Sequence, residues 1–188
     1  MTVEEIFTEL ANHMIKGIML HEQLSEYYDF LGLEGYRKCH EYRFFDECVG
    51  YKKFVKYYTE HNNKLIEGIK ADSSDIIPSS WYKYHRQDVD ANTKRNAVKN
   101  GLKTWVEWET ETKKLYESEY KELMELDKVA DAKMVGKLVE DVDHELKRAE
   151  QYWLNKTAID FDLVEVVQEQ HKKKEKYKHK LKCLGDKL

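Results

Sequence analysis

Residues Glu67 to Asn92 read EGIKADSSDIIPSSWYKYHRQDVDAN, and this stretch decides the fold. On either side of it, apolar residues recur at steps of three and four, the spacing of one face of an α-helix. Inside it the periodicity stops. It holds Gly68, Ser73, Ser74, Pro78, Ser79 and Ser80, then an aromatic patch of Trp81, Tyr82 and Tyr84. A connection this long is uncommon in a compact domain. It is long enough to cross a whole helical bundle, so the helices before and after it can run parallel.

Working backwards, a helix over 36–61 carries Tyr36, His40, Phe44, Glu47, Tyr51, Phe54 and Tyr58 on one stripe. Gly32 and Gly35 bracket a tight turn before it. An earlier helix opens with a Thr2/Glu5 capping box and is striped by Ile6, Leu10, Met14, Gly17, His21, Leu24, Tyr28 and Leu31. Working forwards, a third helix over 93–126 presents Val98, Leu102, Trp105, Glu109, Thr112, Tyr116, Tyr120 and Leu123. After a break at Asp127 and Lys128, a fourth runs to about 155 with Val135, Leu138, Val142, Glu145, Ala149 and Tyr152 inward. Short turn, long crossover, short turn predicts an all-α four-helix bundle over 1–156. Residues 157–188 add a fifth helix, apolar at Leu163, Val166 and Val167 and lysine-rich from Lys172 to Lys182.

Composition agrees with long amphipathic helices. Of 188 residues, 41% are hydrophobic and 36% charged, with one proline and eight glycines, too few turn residues for an all-β chain. The net charge of −4 argues against a polyanion binder by bulk charge. No apolar run reaches the roughly 18 residues of a membrane span. The N-terminus has acids at Glu4 and Glu5 and no secretory core. Cys39, Cys48 and Cys183 show no metal spacing and read as reduced thiols of a cytoplasmic protein.

The chemistry lies in three glutamates on apolar stripes, Glu47, Glu109 and Glu145. A buried carboxylate finds a partner or protonates. Folding the first hairpin about residue 33 puts Glu47 opposite Leu20 or His21. Folding the second about residue 128 puts Glu109 within a turn of Glu145. One imidazole and three carboxylates from four helices therefore converge at mid-bundle, a donor set that suits iron, manganese or zinc. A glutamate at the edge of its stripe reaches solvent instead, and His21 alone also reads as a hydrogen-bonded core histidine. His13 and His40 read as hydrogen-bonded residues near the bundle ends.

Two stretches resemble the bacterial non-haem ferritins and their ferritin-like relatives. Gly32-Leu33-Glu34-Gly35 followed by residues 36–50 is similar to the family's first turn and second helix. Val106-Glu107-Trp108-Glu109, continued to Val139-Glu140-Asp141-Val142-Asp143-His144-Glu145, is similar to its third and fourth helices at ungapped spacing. The resemblance covers 10–153 and implies a ferritin-like bundle. Glu47 falls on the bridging glutamate, and Glu109 and Glu145 on ligand positions. It implies bound iron, Fe(II) oxidation and a homo-oligomer.

The chain departs from the family pattern. Its Glu-x-x-His motif reads Glu47-Cys48-Val49-Gly50 here, and the first-helix glutamate has only His21 or Glu22 nearby. Val142 stands where the ungapped match expects a ligand. A one-residue shift presents Asp141 and His144 as an Asp-x-x-His pair instead. One metal with mixed ligands, or none, is then the expectation. The rival expectation is a metal-free binding or inhibitory bundle, meeting nucleic acid or an acidic protein through the lysine-rich helix.

Overall fold

The structure, a computed structural model, describes residues 1–70, 77, 78, 81 and 88–185, and contains five helices among them. Ser73, Ser74, Ser79, Ser80, Tyr82 and Tyr84 lie outside the described residues.

Helix α1, Val3–Phe30, starts at the expected capping box: Glu5 N–H donates to Thr2 Oγ1 (3.2 Å) and Thr2 N–H to Glu5 Oε2 (2.8 Å). Gly32, at φ 68°, makes the left-handed turn into α2, Glu34–Asn62. Asn63 ends α2 in the left-handed region, where asparagine is tolerated.

The chain then climbs along α1. Thr8 Oγ1 donates to the Glu67 carbonyl (2.9 Å), Lys70 N–H to Asn12 Oδ1 (2.8 Å) and Ile77 N–H to Gln23 Oε1 (3.0 Å). Trp81 packs on Tyr27. These anchors ascend from residue 8 to residue 27 of α1, so the connection crosses the bundle as its length implied. Helix α3, Ala91–Glu125, begins at Asp90, which caps Thr93 N–H at 2.6 Å, and α4 spans Val129–Thr157. Helix α5, Leu163–Gly185, starts six residues into the 157–188 segment expected to form it. Asp160 and Phe161 adopt positive φ, and Asp162 caps Val164 N–H (2.9 Å).

Two apolar cores fill the bundle. One joins Leu20, Leu24, Tyr28, Val98, Leu102 and Trp105; the other joins Ile6, Phe7, Leu10, Phe54, Tyr116, Leu123 and Val135. Between them lies a polar layer. Helix α5 runs parallel to α2 and also touches α4. Glu169 pairs with Lys156 of α4 and with Lys173 (3.3 Å), and Lys173 lies over the Tyr152 ring at 3.6 Å. Lys174 pairs with Glu34 at 2.7 Å. Part of the lysine-rich tail thus works as structure: Lys173 is buried, as is Lys156 of α4, while Lys172, Lys176, Lys178 and Lys182 stay exposed.

The α2–α5 contact depends on Gly35, where an added Cβ would collide with the backbone of Gln170. Backbone cannot swing aside as a side chain can. We predict that Gly35→Ala costs about 1–3 kcal/mol, as overpacking does, and speeds amide exchange selectively in α5. Uniform exchange across all five helices would contradict this.

Candidate metal centre

The mid-bundle layer faces a cleft of about 590 Å³ between α2 and α4, the side of the bundle where neighbouring helices approach least. Beside the first turns of α2 this groove is occupied by α5; further along it stands open. Glu47, Glu109 and Glu145 all line the cleft, so the structure brings the three core acids to one place. Asp141 and His144 sit at its exposed mouth. Val142 is buried and Leu138 packs on the lower core, the register that turns Glu145 inward.

Each acid has a different environment. Glu109 accepts the Trp105 indole N–H at 2.8 Å, and burial lifts its pKa to about 7 against the pull of that bond and of Arg43. Glu47 accepts no hydrogen bond among the described residues. Burial and then the charge of Glu109 push its pKa up to about 8, although the cleft leaves the residue partly accessible. Glu145 is held by two guanidinium groups. Arg148 donates to both its oxygens (2.9 and 3.1 Å) and Arg43 pairs with it from α2.

Arg43 is the residue that sequence reasoning missed. The α2 stripe was read through Phe44, but the buried positions are Tyr36, Cys39, His40 and Arg43, and Phe44 is only half-buried. Packing of α5 on α2 widens the buried face and draws Arg43 in. Its side chain is 3% exposed, with the guanidinium 5.5 Å from the centre of the Trp105 ring. The one signal in the sequence was a cation one turn before Glu47 on the same side of α2.

Two expected ligands do not reach the cleft. His21 is fully buried and shares a 3.1 Å Nδ1–Nδ1 hydrogen bond with His40, edge-on to Trp105. Burial drives its pKa down to about 3. The α1–α2 hairpin folds slightly earlier than residue 33: His21 meets His40, and the Met14 methyl lies 3.8 Å from where a Gly50 side chain would begin. Met14 and Gly17 therefore face the level of Glu47, one turn below His21. Burial, then its α1 neighbour Glu26 and Glu41, raise the pKa of Glu22, which does not line the cleft.

A two-metal centre does not fit this donor set. At the carboxylate level α1 offers Met14 and Gly17, α2 offers Glu47 with Gly50, and Glu145 is taken by arginines. Among the described residues, no three His, Cys, Asp or Glu side chains stand close enough to share an ion.

No protein-family model matches the chain, and no curated protein matches it in sequence. Solved structures do. An Archaeoglobus fulgidus ferritin engineered into a closed form superposes with a TM-score of 0.73 at 13% identity, covering 93% of this chain and 96% of that one. The fold is ferritin-like. A humanized archaeal ferritin gives a TM-score of 0.72 at 15% identity over 93% and 97%. An open pore ferritin from A. fulgidus gives 0.71 at 14% over 90% and 93%. No helix among the described residues is long and apolar enough to cross a membrane.

The raised pKa of Glu47 has a signed consequence. The folded state keeps a proton that the unfolded chain loses near pH 4.5, so this acid favours folding fully below that pH. Its contribution fades as pH rises towards about 8. Glu47→Gln should be nearly neutral at pH 5 and stabilising at pH 8, by on the order of 1–2 kcal/mol once the open side of the cleft is allowed for. Equal effects at both pH values in urea unfolding would refute the assignment.

Proposed function

We propose that this chain is a ferritin-like metal-binding protein whose bundle holds a single divalent cation in the α2–α4 cleft. Glu47 and Glu109 serve as its carboxylate ligands. The observation that carries this is the position of those two acids: they face one solvent-connected cleft, and Glu47 accepts no hydrogen bond among the described residues. Two carboxyls that hold protons near neutral pH are poorly compensated as anions. A divalent ion displaces the protons and neutralises both. Oxygen donors from carboxylate and water suit Fe(II) and Mn(II), and Zn(II) less selectively.

The protein residues have distinct tasks. Trp105 orients Glu109 through its indole N–H. Arg43 and Arg148 hold Glu145 aside, so it shapes the field of the site without ligating. Asp141 and His144 border the entrance. Iron held this way is cargo. Paired-iron oxidation would need a second set of donors that α1 and α2 do not supply, so we read the activity as binding. We extend the proposal to assembly as a homo-oligomer, the state in which a ferritin-like bundle could store iron. Light scattering should then give a mass several times the 22.5 kDa of one chain; a monomer would refute that extension.

The clamp of Arg43 on Glu145 favours a second reading, in which the guanidinium replaces a metal and the bundle is a metal-free binding module. The two readings differ in outcome. Purified protein loaded anaerobically with Fe(II), Mn(II) or Zn(II) and desalted should retain about one ion per chain. The double variant Glu47→Ala, Glu109→Ala should retain none. Arg43→Gln should bind several-fold more tightly, because the competing cation is gone. Equal retention by parent and double variant would remove the cleft as the site, and no retention by either would leave the metal-free reading in place.

A further inference from the structure

We propose that two copies of this chain pair by exchanging α5, each laying the helix along α2 of the other. This rests on the homo-oligomer extension above and names its surface; it is independent of the cation site.

The turn between α4 and α5 is built unlike the others. The first hairpin turns on Gly32, α2 ends on Asn63 and the second hairpin turns on Asp127, all at positive φ. Glycine, asparagine and aspartate enter that region most readily. The α4–α5 turn needs two such residues in succession, Asp160 at φ 46° and Phe161 at φ 54°. Phe161 is the one bulky side chain held there among the described residues, and positive φ in such a residue is strained. The sequence does not enforce the bend. Residues Lys137 to Leu184 contain no glycine and no proline, so the segment from Ala158 to Asp162 can also continue the helix. Straightened, Val129 to Gly185 form one rod, about 85 Å long at 1.5 Å per residue.

The rod carries α5 away from its own α2 and onto that of a second, inverted copy. The seat is reproduced there contact for contact. Gly35 against Gln170, the Lys156–Glu169–Lys173 group and Glu34 with Lys174 all form between chains. Exchange therefore alters only the turn, and a short strained turn is where exchange is favoured. The closed turn holds Phe161 against Trp153 and Asp160 against Arg95. The open one trades these for helical hydrogen bonds and relief of the left-handed strain.

A second observation lies at the same place. Leu154 and Val164 are 61% and 63% exposed, and Ile159 and Val167 stand in water too. In the exchanged pair Lys156 of each chain lies beside α5 of the other, so the two rods run antiparallel through this segment and bring these side chains within reach of one another.

The test reads which chain supplies each α5. Unlabelled and isotopically heavy full-length chains are mixed in urea, refolded together and treated with a carbodiimide, which joins the solvent-reachable Glu34–Lys174 ion pair without a spacer. Mass spectrometry then sorts the linked peptides, and light scattering gives the mass. The parent should be dimeric or larger, with mixed-label Glu34–Lys174 links at their statistical share. The triple variant Leu154→Glu, Val164→Glu, Val167→Glu changes only exposed positions. It should raise the dissociation constant roughly 100-fold and return the link to single-label pairs. An assembly whose links are all single-label overturns the exchange and leaves the homo-oligomer extension standing. A monomer overturns both. Mixed-label links with an unchanged dissociation constant in the variant uphold the exchange and discard the contact at the turn.

Discussion

The interaction on which the middle of this bundle depends is the ion pair between Arg43 and Glu145. Three carboxyl groups enter one layer between two apolar cores, where each unpaired charge is costly. A single buried guanidinium, joined by Arg148 from the rim, neutralises one of them. Burial pushes the pKa values of the remaining two up to about 8 and about 7. Charge, more than shape, therefore determines what the layer can do.

The fifth helix sets where the layer opens. It lies along the first half of α2 and against the second half of α4, using Gly35 for close approach and the Lys156–Glu169–Lys173 group as a buried lock. Because it packs on α2, the inward face of that helix broadens to include Cys39 and Arg43. Because it leaves the second half of α2 uncovered, the same groove continues as the cleft. One packing event thus buries the arginine and leaves the glutamates reachable.

Much of the fold was legible in the residues. The capping box at Thr2, the glycine turn, the aperiodic stretch after Glu67 and the second break at Asp127 gave the helix order and the crossover. The convergence of Glu47, Glu109 and Glu145 was legible too, because stripe positions and hairpin centres locate residues to about one turn. That same error of about a turn misplaced His21: moving the hairpin centre from residue 33 to about residue 31 exchanges His21 for Met14 and Gly17 opposite Glu47. Arg43 was not legible for a different reason. Its burial is set by a contact between helices distant in sequence, α5 on α2, which no single-helix periodicity encodes.

The proposed one-cation site also accounts for the loss of a two-metal arrangement on this scaffold. A pair of bridged ions brings four positive charges, which four or more acidic and imidazole ligands balance. Here three acids face the layer, and Arg43 contributes one positive charge permanently. With Glu145 offset by Arg43, Glu47 and Glu109 would match one divalent ion. A second ion would stand close to the guanidinium, a like-charge contact that a low-dielectric interior makes severe. Under this proposal the charge balance of the buried layer, more than the orientation of its side chains, limits the ions that the cleft would accept.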